Sequence, residues 1–133
     1  MSGRLFFYGV LMGEVAPPPV RLLLAGLGPG RGASAQGDLF AVDEPLGAHP
    51  AMVAGKGRVR GIVHDAGSVD LAALDLFEGD AYARRPIRVT AEDGETIEAE
   101  AYLWLGATTD LEPIPDGDFA RWLRASGKPA IGG

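Results

Sequence analysis

Twenty glycines and ten prolines punctuate a chain of 133 residues. Glycine admits sharp turns, and proline cannot sit inside a helix or a central strand. A chain interrupted this often is built from short elements joined by many turns. No internal repeat is visible. The length suits one domain over residues 1–133, and a hydrophobic fraction of 47% supplies a core for it.

The pattern between the breakers reads mostly as strands. Leu5-Phe6-Phe7-Tyr8 is an apolar run stopped by Gly9 and reads as a buried first strand. Pro17-Pro18-Pro19 excludes helix interior, and Val20–Ala25 fits either a short helix or a strand. Residues 26–32 read as a glycine-rich loop, Gly37–Val42 as a strand, and Asp43–Gly57, with three glycines and two prolines, as a long surface loop. Arg58–His64 reads as a strand with Val59, Gly61 and Val63 on one face. Ser68 or Asp70 can cap a helix running to Phe77 or Glu78, with Gly79 just beyond its end. Pro86–Thr90 and Thr96–Trp104 then form a hairpin around Asp93-Gly94, with Ile97, Ala99, Ala101 and Leu103 on one face of the return strand. Asp116 or Asp118 caps a last helix with an apolar stripe of Phe119, Trp122 and Leu123, stopped by Gly127. Strands dominate without regular strand–helix alternation. This predicts an α+β domain, a small mixed β-barrel with flanking short helices, over a doubly wound parallel sheet.

Composition removes several functions. A net charge of −6 argues against bulk nucleic-acid binding and, more weakly, against docking on anionic membranes. The absence of cysteine excludes disulfides, thiolate nucleophiles and cysteine-based metal sites. Two histidines, His49 and His64, do not make a His-rich zinc site, and no metal or cofactor is expected. Gly28-x-Gly30-x-x-Ala33 has the outline of a dinucleotide fingerprint, but Pro29 interrupts it and no helix pattern follows. The apolar run within Met1–Leu11 is too short for a signal-peptide core or a membrane span, so a cytoplasmic protein is expected. Arg84, Arg85 and Arg88 form a basic cluster that reads as a solvated face.

One residue is out of place. Leu71, Leu74 and Phe77 make the apolar face of their helix, and Glu78, at i+4 from Leu74, projects onto it; Asp75 falls near its edge. Burying a carboxylate is costly unless it is neutralised, so such a glutamate should hold its proton up to roughly pH 6–7, where a group can both take and give one. The same pattern also fits a frayed helix end whose glutamate points into water.

Several segments carry a family resemblance. Leu5–Gly13 resembles the opening strand and Y-G-[ST]-L loop of the γ-glutamylcyclotransferase (AIG2-like) family, and Leu74–Arg84 resembles its L-D-x-x-E-G-x-x-Y-x-R signature. Gly37-Asp38-Leu39-Phe40 and His49-Pro50-Ala51-Met52 look like the family's second strand and the tyrosine-proline-alanine turn after it. Arg60–His64 and the strand ending at Ala101-Tyr102 look like later core strands, so the resemblance runs in order from Leu5 to Trp104.

The resemblance implies a small mixed barrel and an internal cyclisation of a γ-glutamyl amine or peptide to 5-oxoproline, with release of the free amine and no cofactor. It makes Glu78 the acid–base residue. It makes Tyr8, Gly9, Val10 and Leu11 the loop that holds the γ-glutamyl head group through backbone N–H groups. Tyr82 then lines the pocket or packs in the core, and Arg84 pairs with the substrate carboxylate or with a structural acid. Tyr102 divides in the same way between pocket and core. Val10 stands where the family usually has Ser or Thr, which leaves open a binding module or pseudoenzyme on the same scaffold. Acyl transfer from γ-glutamyl donors to other amines would use the same pocket.

Overall fold

The computed structural model describes residues 3–9, 22, 24–45 and 47–127. Its elements run β1 (Arg4–Phe7), β2 (Gly30–Glu44), β3 (Gly47–Asp65), α1 (Leu71–Glu78), β4 (Tyr82–Ala91), β5 (Thr96–Trp104), β6 (Glu112–Pro113) and α2 (Phe119–Ser126). β1 through β5 close into a mixed barrel in the order β3-β1-β5-β4-β2, with β2 returning to β3, and β6 adds to β2. The β1–β5 pair is parallel, and the other barrel pairs are antiparallel.

Period-two alternation fills the interior. Phe6, Val59, Val63, Val89, Ile97, Ala99 and Ala101 point inward, and α2 adds Phe119 and Leu123. The opposite face of β1 is also buried: Leu5 and Phe7 meet Leu74 of α1 together with Tyr82 and Tyr102. α1 therefore lies on the outside of the barrel over β1, β4 and β5. Asp70 caps it by accepting from the Ala73 amide at 3.1 Å, and Gly79 ends it at φ +81°. Asp118 caps α2, and Gly127 ends it in the left-handed region.

The structure corrects the expected surface loop at Asp43–Gly57. β2 and β3 form a long hairpin whose register runs from Gly30–His64 to Glu44–Gly47, so the supposed loop is mostly strand. The His49-Pro50-Ala51 segment is strand as well, not a turn. The breakers in it have local reasons. Around Pro50, β3 pairs with β2 alone, because β1 joins β3 only at Ile62–Asp65; a missing N–H is tolerated on the unpaired side. Gly55 and Gly57 make room for the Asp38 carboxylate, which follows the bulge at Gln36/Asp38 and accepts the Gly57 amide at 3.0 Å. The glycine-rich stretch likewise becomes β2 from Gly30 onward, which removes the loop a dinucleotide fingerprint needs. Val20, Arg21 and Leu23 of the Val20–Ala25 run lie outside the described residues.

Candidate active site

α1 delivers Glu78 to the barrel end defined by Tyr8 at the exit of β1, Tyr82 at the start of β4 and Tyr102 near the end of β5. The i+4 projection beside Leu74 is realised: Leu74 is fully buried and Glu78 is 8% exposed. This settles the choice between a frayed end and a buried acid. Glu78 Oε2 has no hydrogen-bond partner, the only such buried side-chain atom among the described residues. Burial raises its proton affinity, with the nearby Asp75 charge adding to the effect, and its pKa is pushed up to about 8. That is above the range expected from the helix pattern.

The neighbouring hydroxyls do not relieve the orphaned oxygen. Tyr8 donates its proton to the Tyr102 carbonyl, and Tyr82 donates its own to the Pro50 carbonyl. Both phenols are held protonated, chiefly by burial; Glu78 pushes the same way on both, as does Tyr8 on Tyr82. Among the described residues Oε2 therefore has no donor, which favours the neutral form of Glu78.

Asp75, one turn earlier on α1, has the opposite environment. Arg84 grips it with a two-pronged contact, Nε to Oδ1 at 2.9 Å and Nη2 to Oδ2 at 3.2 Å, and Tyr102 donates to Oδ1 at 2.6 Å. The Arg84 hydrogen bonds hold the Asp75 carboxyl below the usual range, assisted by Tyr102 and opposed by partial burial. The third Arg84 nitrogen meets Glu100 at 2.9 Å. Arg84 is therefore committed to two protein carboxylates, which is the structural ion pair the sequence allowed.

Two aromatic residues at this end carry no signal in the sequence. His49 Nδ1 lies 2.7 Å from the Tyr82 hydroxyl, and its Nε2 lies 3.5 Å from Glu44. Trp104 packs edge-on against Tyr82, with ring centroids 5.3 Å apart, and contacts His49 at 6.0 Å. The register Tyr82–Trp104 could have announced the second contact; nothing local announces the first.

The structure brings together Glu78, Tyr8 and Tyr82, with Gly9 buried at a bend immediately after Tyr8. Val10 and Leu11 lie outside the described residues. Among the described residues no group of three His, Cys, Asp or Glu side chains is placed to hold a metal, and no helix is long and apolar enough to cross a membrane. A groove of about 880 Å³ lies elsewhere on the barrel, lined by Lys56, Arg58, Arg60 and Arg88 among others, and shares no residue with this cluster.

The barrel agrees with what known proteins show of the fold. The family of gamma-glutamyl cyclotransferase, AIG2-like proteins matches residues 5–122, and the chain belongs to that family. No curated protein matches the sequence significantly. Among solved structures, YkqA from Bacillus subtilis is similar at 24% identity and a TM-score of 0.74, over 96% of this chain but only 43% of the Bacillus protein. PH0828 from Pyrococcus horikoshii is similar at 25% identity and a TM-score of 0.65, over 96% of its length and 95% of this chain. A structure titled gamma-glutamyl cyclotransferase is similar at 22% identity and a TM-score of 0.64, over 85% of this chain and 70% of its own.

Proposed function

We propose that this chain cyclises a γ-glutamyl amine or peptide to 5-oxoproline and releases the free amine, with Glu78 as the acid–base residue. One observation carries the reading: a carboxyl group shut away from water at the exit of β1, with no partner for Oε2 among the described residues.

Ring closure joins the substrate's α-nitrogen to its own γ-carbonyl carbon and breaks the bond from that carbon to the departing nitrogen. Because both reacting atoms belong to one molecule, much of the acceleration comes from holding the γ-glutamyl group folded. The attacking nitrogen must lose a proton and the departing one must gain it. Glu78, with a pKa near 8, exists in both forms close to neutrality and can carry that proton between them. The segment Tyr8–Leu11 would hold the head group, its backbone N–H groups facing the carboxylate or the developing oxyanion. Tyr82 would line the pocket. Arg84 would act through Asp75, since its three nitrogens already face carboxylates.

The test is release of 5-oxoproline from a panel of γ-glutamyl amines and peptides by the wild-type protein and by Glu78→Gln. Turnover that disappears in the variant, with the fold intact by circular dichroism, supports the assignment; equal turnover in both refutes it. Val10, in place of the usual Ser or Thr, favours a second reading as a binding module. Inactive wild-type protein that is stabilised thermally by a γ-glutamyl compound would select that reading.

A further inference from the structure

We propose that Asp75 is the positioning residue for Glu78: clamped by Arg84 and Tyr102, it fixes the last turn of α1 and places a permanent negative charge one turn from the Glu78 carboxyl. The proposal rests on the acid–base reading of Glu78 for its catalytic meaning, but not for its measurement.

The geometry is that of a clamp. Three hydrogen bonds from two different strands converge on the two Asp75 oxygens: Arg84 of β4 supplies two and Tyr102 of β5 supplies the third. Glu100, also on β5, holds the far side of the guanidinium at 2.9 Å. The Asp75 carbonyl accepts the Gly79 amide at 3.1 Å, so the clamped residue also closes the helix turn that carries Glu78. The clamp continues into the site, because the Tyr102 carbonyl accepts from Tyr8. A pull on Asp75 is thus transmitted to Glu78 through α1 and to Tyr8 through Tyr102.

The electrostatic consequence has a definite sign. Among the described residues, the groups that interact with Glu78 are Tyr8 just after β1, Tyr82 from β4, Tyr102 from β5 and Asp75 on its own helix; His49 from β3 is bonded to Tyr82, with Glu44 of β2 beyond it. The tyrosines are neutral, so among the described residues Asp75 is the charge that acts on Glu78, and it disfavours its ionisation. Its charge is partly balanced by Arg84. Removing Asp75 should therefore lower the Glu78 midpoint and removing Arg84 should not, whereas mere loosening of the helix would admit water and move it downward in both.

Carboxyl-carbon NMR titration of Glu78, assigned by its loss in Glu78→Gln, reads this without any substrate. Asp75→Asn should lower the Glu78 midpoint by at least about half a pH unit, a threefold loss of proton affinity. Arg84→Gln should leave the midpoint unchanged or raise it. A midpoint unchanged in Asp75→Asn, or lowered equally in both variants, overturns the proposal. The expected midpoints in a protein that releases no 5-oxoproline would keep it and discard the acid–base reading instead.

Discussion

The bond between His49 and Tyr82 has a fixed direction. A phenol has one proton, and the Tyr82 proton goes to the Pro50 carbonyl, so at 2.7 Å His49 Nδ1 must be the donor. His49 therefore carries a proton on Nδ1, and its Nε2 lies 3.5 Å from Glu44. The pair pins the Tyr82 ring beside the buried glutamate. Replacing His49 with Leu should leave a buried phenol oxygen without its donor and cost about 1 kcal/mol. Tyr82→Phe removes the acceptor, so a double-mutant cycle by urea unfolding should give a coupling of about 1 kcal/mol. A coupling near zero would show that the two side chains touch without supporting each other.

Leu74 joins the core to the site. It is fully buried against Leu5, Phe7, Tyr82 and Tyr102, one turn before Glu78. Leu74→Ala should cost about 3 kcal/mol through lost burial and the cavity left behind. The helix should also seat less firmly, so 5-oxoproline release should fall more steeply with temperature than in the wild type. Thermal denaturation and an activity–temperature series check the two halves separately.

Gly117 has no room for a side chain. Its φ is +66°, and a Cβ there would stand 1.7 Å from the Arg58 carbonyl oxygen. The same residue's carbonyl accepts the Arg60 amide at 2.8 Å, tying the approach to α2 onto β3. Gly117→Ala combines backbone strain with a clash against main chain that cannot swing aside. A loss of roughly 3 kcal/mol or more is expected. A melting temperature within a degree of wild type would contradict that packing.

What the sequence revealed follows from how local each signal is. α1 was readable because its cap, its apolar spacing and its terminal glycine all lie within ten residues, Asp70–Gly79. The β4–β5 hairpin was readable because Asp93-Gly94 sits between two alternating runs, and Glu78 was readable as an acid on the wrong face of a helix. The middle of the β2–β3 hairpin was not. Its glycines and proline answer to the Asp38 carboxylate and to an unpaired strand side, and neither can be seen from the segment itself. His49 was missed for the same reason: its partners Tyr82 and Trp104 are 33 and 55 positions away, and only barrel closure brings them together.

Glu78 should leave a signature in stability as well as in rate. Its pKa rises from 4.5 to about 8 on folding. Between those values the unfolded chain has released the proton and the folded chain keeps it. The group's stabilising contribution is therefore complete below about pH 4.5, falls as pH rises, and is lost above about pH 8. Asp75 shifts the other way, but its contribution changes only at more acidic pH, below this window. Glutamine at position 78 cannot titrate, so the difference between wild type and Glu78→Gln isolates the effect from all other groups. Urea unfolding at several pH values should show wild type losing about 3–4 kcal/mol relative to the variant between pH 5 and pH 8, with a slope near 1 kcal/mol per pH unit. A difference that stays flat across that range would mean that the carboxyl is solvated in the folded protein, and the site would lose the feature on which its chemistry depends.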